Sequence, residues 1–180
     1  GKMIRDIRQA GMFGCLATAS IDNAPSAFDQ PVGWHSAGSS WSLTLVTADV
    51  AGEGGTPDWT VLSDCLDTAQ AYAGNSPPPM PGQIRFALRQ LTYTYETGQL
   101  KVSTPAAPAK AVLLDNVQAF DISFGVAGKP GSPQVARYDA SPADESLIRS
   151  VRLRMTLQDP TGRVKDQAYS VVAALRNRLG

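Results

Sequence analysis

The sequence contains one histidine, two cysteines and equal numbers of acidic and basic residues. One histidine cannot build a histidine-rich metal centre, and Cys15 and Cys65 match no zinc-binding spacing. Because the charges cancel, no net field draws the chain towards nucleic acid or anionic lipid. No run of about 20 apolar residues is present, so no segment has the length of a membrane-spanning helix. These shortages argue against a zinc site and a membrane-spanning segment, and any nucleic-acid role would need a local basic patch.

The remaining composition is typical of one loop-rich globular domain. The 180 residues can bury a core, and a hydrophobic share of 43% argues against disorder. Charged residues make up only 18%, while glycine and proline are abundant, which suits an extracellular domain. We expect a single domain over residues 1–180. Within it we expect the end of an N-terminal helix at 1–14, a loop-rich region with short strands at 15–82, and an antiparallel sheet at 83–180.

The first residues have the periodicity of an amphipathic helix. Met3, Ile4 and Ile7 fall on one stripe, and charged residues fall on the opposite side. The pattern begins at residue 1 without a capping residue. We therefore expect the chain to be a piece cut within a longer helix. An ordinary amphipathic N-terminal helix is the alternative.

The two cysteines allow one disulfide bond. Cys15 directly follows the predicted helix, and Cys65 lies in a polar Ser-Asp-Cys-Leu-Asp segment. A bond closing a loop of about 50 residues would stabilise the fold by about 4 kcal/mol in the chain-entropy model. Two unrelated buried thiols are the alternative. If the bond forms, the protein folds in an oxidising compartment, such as the periplasm or the cell surface.

Alternating apolar and polar residues predict strands in much of the remaining chain. They cover residues 41–45, 59–62, 84–88, 91–96, 99–103, 120–126, 151–157 and 169–175. Residues 16–40 instead indicate a long irregular excursion, and Ser141-Pro142-Ala143-Asp144 predicts the start of a short helix. Thr97-Gly98 is typical of a compact hairpin turn. Short turns favour antiparallel pairing, so the predicted fold class is α+β, with one helix packed on an antiparallel sheet.

Residues suited to catalysis or metal binding are sparse. His35 lies in a Gly/Ser-rich stretch, and no Gly-x-Ser-x-Gly elbow accompanies it. Asp49, Glu53 and Asp58 could offer oxygen ligands to calcium, but their spacing matches no calcium loop, which favours solvated loop charges. We therefore predict no catalytic residue, no metal site and no cofactor. The protein is not expected to be an enzyme.

Two other groups of side chains leave alternatives open. Arg152 and Arg154 lie on the polar face of a predicted strand, where they are either solvated or part of a subunit contact. Trp34, Trp41 and Trp59 are interpreted as core or loop anchors, with a sugar-binding platform as the alternative.

The segment 3–15 resembles the end of the N-terminal helix in PilW-type minor pilins of type IV pili. In that family an arginine-containing helix runs into an Ala-Gly-aromatic-Gly-Cys segment, which here reads Ala-Gly-Met-Phe-Gly-Cys at positions 10–15. Residues 84–100 resemble the central sheet of the family, and residues 113–120 resemble the segment that leads into its following strand. Residues 148–157 and 169–178 resemble its final strands.

The resemblance implies a pilin-like fold and a non-catalytic role in starting type IV pilus assembly. Family members lie in the inner membrane and periplasm before assembly and at the pilus tip on the cell surface afterwards. The implied partners are other minor pilins, the major pilin and a tip adhesin, with no small-molecule substrate and no nucleic acid. The expected partner contacts are Ile4, Ile7, Arg152 and Arg154.

Two other functions stay open. A pseudopilin of a type II secretion system or of a competence filament would share the architecture. A calcium site would favour secretion, and a DNA-binding stripe around Arg149, Arg152 and Arg154 would favour competence. A periplasmic carbohydrate-binding module or hydrolase is the second alternative.

Overall fold

The computed structural model describes residues 1–49 and 55–175, which form one α-helix, three short 3₁₀ helices and eleven strands. The α-helix is α1 (Lys2–Gln9), and the 3₁₀ helices are Thr18–Ser20, Ser26–Asp29 and Glu145–Leu147. The strands are β1 (Val32–Ala37), β2 (Ser40–Ala48), β3 (Trp59–Ser63), β4 (Ala69–Ala73), β5 (Ile84–Glu96), β6 (Gln99–Ser103), β7 (Ala111–Leu114), β8 (Val117–Ala127), β9 (Val135–Asp139), β10 (Ile148–Leu157) and β11 (Gln167–Ala174).

α1 begins close to residue 1, as predicted, but it is shorter than the predicted helix. Met3 and Ile7 are buried on its apolar side. Ala10 has an extended backbone, and Gly11 has a φ of +80°, a conformation that glycine adopts readily and other residues avoid. The helix therefore ends at Gln9 and not at residue 14.

The larger sheet contains seven antiparallel strands. Five of them follow the order β1-β2-β5-β3-β4, and β6 and β7 extend the sheet from the second half of β5. β5 is the central strand because its first half pairs with β3, its second half pairs with β6, and β2 pairs along its other side. The β5–β6 turn at Thr97 and Gly98 is the predicted compact hairpin.

The smaller sheet contains four antiparallel strands in the order β11-β10-β8-β9. β10 and β11 pair over the whole of β11, from Ser150 opposite Ala174 to Leu157 opposite Gln167. β9 reaches only the second half of β8, from Phe124 onwards. In the part of the chain that the structure describes, no strand pairs with the other side of β11, so β11 is an edge strand along its full length.

Two separate hydrophobic clusters cover opposite faces of the larger sheet. On one face, residues such as Leu45 and Tyr93 pack with Phe124 and Val151 of the smaller sheet and with Ile7 of α1. On the other face, the segment that follows α1 packs on β3, β4 and the first half of β5. This second cluster contains Phe13, Ile21, Phe28, Val46, Val61, Ala69, Ala71 and Leu88. The protein thus has three layers over part of its area, since strand side chains alternate between faces.

The predicted α+β, pilin-like fold class is wrong. The described residues are mostly β structure in two antiparallel sheets, and α1 is too short to form a layer of its own. α1 contacts β2 of the larger sheet and β11 of the smaller one, so it lies at the margin between the sheets. The misinterpretation arose because residues 15–82 contribute four strands to the larger sheet, where mainly loops were expected.

Two local predictions also need correction. β1 lies within the expected irregular excursion at 16–40. The helix expected from Ser141 is a three-residue 3₁₀ helix, Glu145–Leu147, and its capping residue is Asp144, whose carboxylate accepts the backbone N–H of Ser146. Asp144 can cap this turn because its short side chain accepts a backbone N–H that has no partner within the turn, that of Ser146.

Within the two described ranges, no helix combines the length and hydropathy that a bilayer span requires.

Candidate functional site

α1 is held in place by a buried carboxylate. Asp6 is only 5% exposed. Its Oδ2 accepts a hydrogen bond from the Tyr93 hydroxyl at 2.6 Å and another from the Lys2 ammonium group at 3.0 Å. The Thr47 hydroxyl donates to the backbone carbonyl of Asp6 at 3.0 Å. A buried carboxylate needs such partners, because an unpaired one would be costly to desolvate. The orientation of α1 against the larger sheet is therefore fixed by polar contacts as well as by burial of Ile7.

The two isoleucines predicted as partner contacts have different surroundings. Ile7 is fully buried in the first core cluster of this chain. Ile4 is partly buried and packs at the border of that cluster. Ile4 consequently has surface that another molecule could reach, whereas Ile7 stabilises the fold from inside.

An apolar groove of about 340 Å³ lies next to the first turn of α1, between the two sheets. We define the apolar groove by Ile4 of α1, Leu113 and Leu114 of β7, Met155 of β10, and Tyr169 and Val171 of β11. Leu113, Tyr169 and Val171 are each more than a third exposed. Contiguous exposed apolar surface on a globular protein commonly marks an interaction site. The groove is the most evident candidate for such a site in the described ranges.

The sequence reasoning missed this groove. Residues 169–175 were expected as the last strand, and β11 confirms that strand, but its exposure was not anticipated. Seven of the eight residues of β11 are exposed, and none of them is charged. The uncharged run Gln-Ala-Tyr-Ser-Val-Val-Ala-Ala was the available signal, because an exposed strand usually carries charged side chains.

The predicted disulfide bond is present and joins Cys15 to Cys65. Cys15 follows Gly14, whose φ of +128° brings its Cα against the ring of Phe86, so that an added Cβ would lie 3.2 Å from that ring. Cys65 has a φ of +59°, which is unusual for a residue with a side chain. The bond therefore links the end of the α1 segment to the β3–β4 loop at a position of tight packing.

The β3–β4 loop is ordered by hydrogen bonds to Asp64. Its Oδ1 accepts the backbone N–H groups of Leu66, Asp67 and Thr68 at 2.9, 3.1 and 3.0 Å. These donors hold the pKa of the Asp64 carboxyl well below its usual range, because they stabilise the ionised form. The same loop exposes Leu66, which is 83% accessible.

We expect the Asp64 carboxyl to stay ionised in the folded protein at about pH 3, where an ordinary aspartate of pKa ~3.9 is mostly protonated. A lowered folded-state pKa means that the stabilisation is complete above the unfolded pKa and disappears as the pH falls through the folded one. Carboxyl ¹³C NMR titration measures the midpoint, with circular dichroism to verify folding and a urea-unfolded sample as control. Equal midpoints for Asp64 in the folded and unfolded samples would refute the expectation.

Arg152 and Arg154 lie on the outer face of the smaller sheet, as predicted for the polar face of their strand. Arg152 Nε donates to Ser123 Oγ at 3.1 Å, and its guanidinium lies 4.1 Å from the ring centroid of Tyr138. Arg154 is exposed and lies opposite Asp121 in the strand register. Arg152 is thus oriented by its neighbours, and Arg154 is the more accessible cation.

Arg149 differs from both. It is 7% exposed, and its guanidinium donates to the backbone carbonyls of Ser132, Ser146 and Ile148 at 2.8, 2.9 and 3.3 Å. These contacts tie the loop before β9 and the 3₁₀ helix to β10. Arg149 therefore stabilises the fold from a buried position, and it does not extend the Arg152–Arg154 pair into a surface stripe.

The residues considered for catalysis or calcium binding are dispersed. His35 is exposed on β1, with Ser42 as its cross-strand neighbour. Asp49 forms an ion pair with Arg89 at 2.6 Å, and Asp58 accepts the backbone N–H of Gln90 at 2.8 Å. Glu53 lies outside the described residues. Among those described, no three His, Cys, Asp or Glu side chains are grouped as metal ligands would be.

The tryptophans belong to two different clusters. Trp34 and Trp41 pack together with a centroid distance of 5.5 Å, and the Trp41 indole N–H donates to the Phe120 carbonyl at 2.8 Å. Trp59 packs edge-on against Phe28 in the second cluster. The three rings therefore do not form one exposed platform of the kind that stacks on a sugar.

No protein-family model matches the chain, and no curated protein is detectably similar to it in sequence.

Proposed function

We propose that this chain is a non-catalytic subunit of an exported bacterial filament, of the minor-pilin class, that helps to start type IV pilus assembly. The observation that carries the proposal is the apolar groove beside α1. A subunit that assembles needs an apolar contact surface with a fixed geometry, and the groove provides one between two sheet edges.

Three further features support the proposal. The segment 3–15 resembles the helix end of PilW-type minor pilins, and the Cys15–Cys65 bond is suited to an oxidising compartment. The hydrogen bond from Tyr93 to Asp6 fixes α1 against the larger sheet. Contacts between α1 and other subunits would therefore also set the orientation of the sheets. In this role the protein lies in the inner membrane and periplasm before assembly and at the pilus tip afterwards. Its partners are other minor pilins, the major pilin and a tip adhesin.

The alternatives have weaker support. A DNA-uptake filament was expected to use a stripe of Arg149, Arg152 and Arg154, but the Arg149 guanidinium is occupied by backbone carbonyls. For a calcium-binding pseudopilin, the oxygen ligands considered were Asp49, Glu53 and Asp58, and the Asp49 carboxylate pairs with Arg89. A sugar-binding module has no common aromatic platform among the three tryptophans. Contact between subunits remains the best-supported function.

Deletion of the gene in its native bacterium is expected to reduce surface pili sharply while the major pilin continues to accumulate in the membrane. Complementation with the full-length gene should restore pili, and so should the His35→Ala variant, because the proposed role uses no side-chain chemistry. Pilus number by electron microscopy and twitching motility are the measurements. A deletion strain with normal pilus number would reject the assembly role. Complementation by wild type but not by His35→Ala would reject the non-catalytic role.

A further inference from the structure

Among the described residues, β11 forms a sheet edge that lacks the usual protection. An edge strand exposes unpaired N–H and C=O groups and can pair with another chain, so proteins usually cover, shorten or charge their edges. β11 is eight residues long, uncharged and mostly exposed. The other sheet edges of the described residues differ from it in this respect.

The edges of the larger sheet are covered or short. At β4, the backbone of Asp22 exchanges hydrogen bonds with Ala69 and Ala71, both at 2.9 Å. At β1, the backbone N–H of Trp34 donates to Glu145 Oε1 at 3.3 Å. β7 is only four residues long. Each of these edges is therefore shorter than β11, and β1 and β4 already have part of their outward backbone hydrogen-bonded.

The opposite edge of the smaller sheet is protected in two ways. β9 carries the charged residues Arg137 and Asp139. Where β9 ends, β8 is exposed, but the Trp41 indole N–H occupies the Phe120 carbonyl there. A charged or capped edge disfavours pairing with a second strand. Among the edges that the structure describes, β11 alone is long, uncharged and uncovered.

The backbone groups that β11 presents to solvent can be identified from its pairing. The Leu175 N–H donates to the Arg149 carbonyl at 2.9 Å, so Leu175 directs its backbone towards β10. Successive residues in an antiparallel strand alternate in this direction. Ala168, Ser170, Val172 and Ala174 therefore direct their N–H and C=O groups away from β10, where no other described residue hydrogen-bonds to them.

We propose that β11 is a dimerisation edge, at which two copies of this chain pair antiparallel with Ser170 of each copy on the twofold axis. This register aligns the outward-directed backbone groups of Ser170 and of the Ala168–Val172 pair in both copies. It also sets Tyr169 of one copy opposite Val171 of the other, an aromatic and β-branched pair that favours cross-strand packing. Like charges are absent from both strands, so the same edge can face itself without repulsion.

The apolar groove adds a reason for self-pairing. Tyr169 and Val171 line the groove from the inner face of the smaller sheet. In the proposed dimer the sheet continues into the second copy, whose Tyr169 and Val171 cover the open side of the groove. The inference rests on the proposed function in that it names a second copy as the first partner of the groove. Its test needs no filaments, so the two proposals can fail separately.

Cysteine cross-linking tests the register. In a hydrogen-bonded antiparallel pair the Cα atoms lie about 5.5 Å apart, within the range of a disulfide bond. Ser170→Cys is therefore expected to form a disulfide-linked dimer on mild oxidation. Val172→Cys is the matched control on the same strand face, because the two copies of residue 172 would lie about 13 Å apart along the strands. Peptide mapping locates the bond and verifies that Cys15–Cys65 is intact.

We expect roughly ten-fold more cross-linked dimer from Ser170→Cys than from Val172→Cys, because only the two copies of residue 170 would lie within the range of a disulfide bond. Equal cross-linking of the two variants, or none in either, would overturn the proposal. Preferential cross-linking at Val172 would overturn it as well, because the strands would then pair in another register.

Sedimentation velocity tests the association itself. The unmodified chain of 19.0 kDa is expected to reach twice that mass at about 100 µM, and Val171→Lys should weaken the dimer roughly ten-fold or more. Val164→Lys, at a more exposed position outside the strand, is the control and should leave the dimer intact. Ser170→Pro removes only an outward N–H and provides a second disruptive variant. A wild-type monomer at about 100 µM, or folded Val171→Lys and Ser170→Pro variants that both remain dimeric, would refute the proposed edge.

Discussion

Removal of the Cys15–Cys65 bond by the double substitution Cys15→Ser and Cys65→Ser is expected to lower the free energy of unfolding by about 4 kcal/mol. The bond closes a loop with a sequence separation of 50 residues, so without it the unfolded chain gains considerable entropy. For a chain of this size the loss corresponds to a fall of about 8–16 °C in melting temperature. Urea denaturation and thermal melting followed by circular dichroism measure the two quantities.

A neighbouring exposed substitution separates the effect of the bond from that of altering the loop. Leu66→Ser changes the residue next to Cys65 at a position that is 83% exposed, and it should change stability by less than about 0.5 kcal/mol. Reduction of the wild-type protein should reproduce the loss seen in the double variant. A double variant within about 1 kcal/mol of wild type would contradict the expectation, since even modest disulfides usually contribute more. The case for folding in an oxidising compartment would then also weaken.

Strand positions were predictable wherever one face of a strand is buried and the other is wet. β2, β8 and β10 alternate in this way and were found at their predicted places, with ends that differ by a few residues. β9 was not predicted, because almost all of its side chains are exposed and no alternation marks it. β4 consists of small and polar residues, Ala-Gln-Ala-Tyr-Ala, whose burial depends on the chain segment packed over it.

β5 explains why the architecture escaped prediction. Two strands were expected, at 84–88 and 91–96, and the structure contains one strand of 13 residues. Phe86 and Leu88 face the second cluster, whereas Leu91 and Tyr93 face the first. The buried face therefore changes parity along the strand, which in a sequence resembles a break between two strands. A sheet covered on different faces in its two halves cannot be deduced from alternation within either half.

The two glycines of the segment 10–15, which the sequence shows only as part of a motif, each have a physical role in the fold. Gly11 ends α1 with a φ of +80°, and Gly14 allows close approach to Phe86 with a φ of +128°. Both conformations are ones that residues with a side chain adopt rarely. The motif thus encodes a turn that directs Phe13 into the second cluster and Cys15 towards Cys65. Which cluster Phe13 joins depends on long-range packing, and the segment itself does not specify it.

The apolar groove depends on the same long-range packing. Leu113, Met155 and Tyr169 come from three strands in two sheets, and they meet only because the sheets stack at the margin where α1 lies. No spacing in the sequence connects them. By contrast, the disulfide bond was predictable because the chain offers only one pairing of its two cysteines.

Truncation of Phe124 to alanine is expected to lower the free energy of unfolding by about 3–5 kcal/mol, the range found for buried phenylalanines. Phe124 lies on β8 with no exposed surface, and its ring contacts Trp34 edge-on at a centroid distance of 5.1 Å. Alanine would leave a cavity between the two sheets, because β10 and β9 hold the backbone of β8 on both sides at this position. Chemical denaturation monitored by tryptophan fluorescence measures the loss.

The control for this truncation is Asp121→Ala on the same strand. Asp121 is exposed and belongs to the opposite face of β8, so its replacement should change stability by less than about 0.5 kcal/mol. The pair of variants therefore tests which face of β8 is buried. Similar stabilities for the two variants would contradict the stacking of the smaller sheet on the larger one. A shift of one residue in the strand register would exchange the two effects, since it turns every side chain of the strand to the other face.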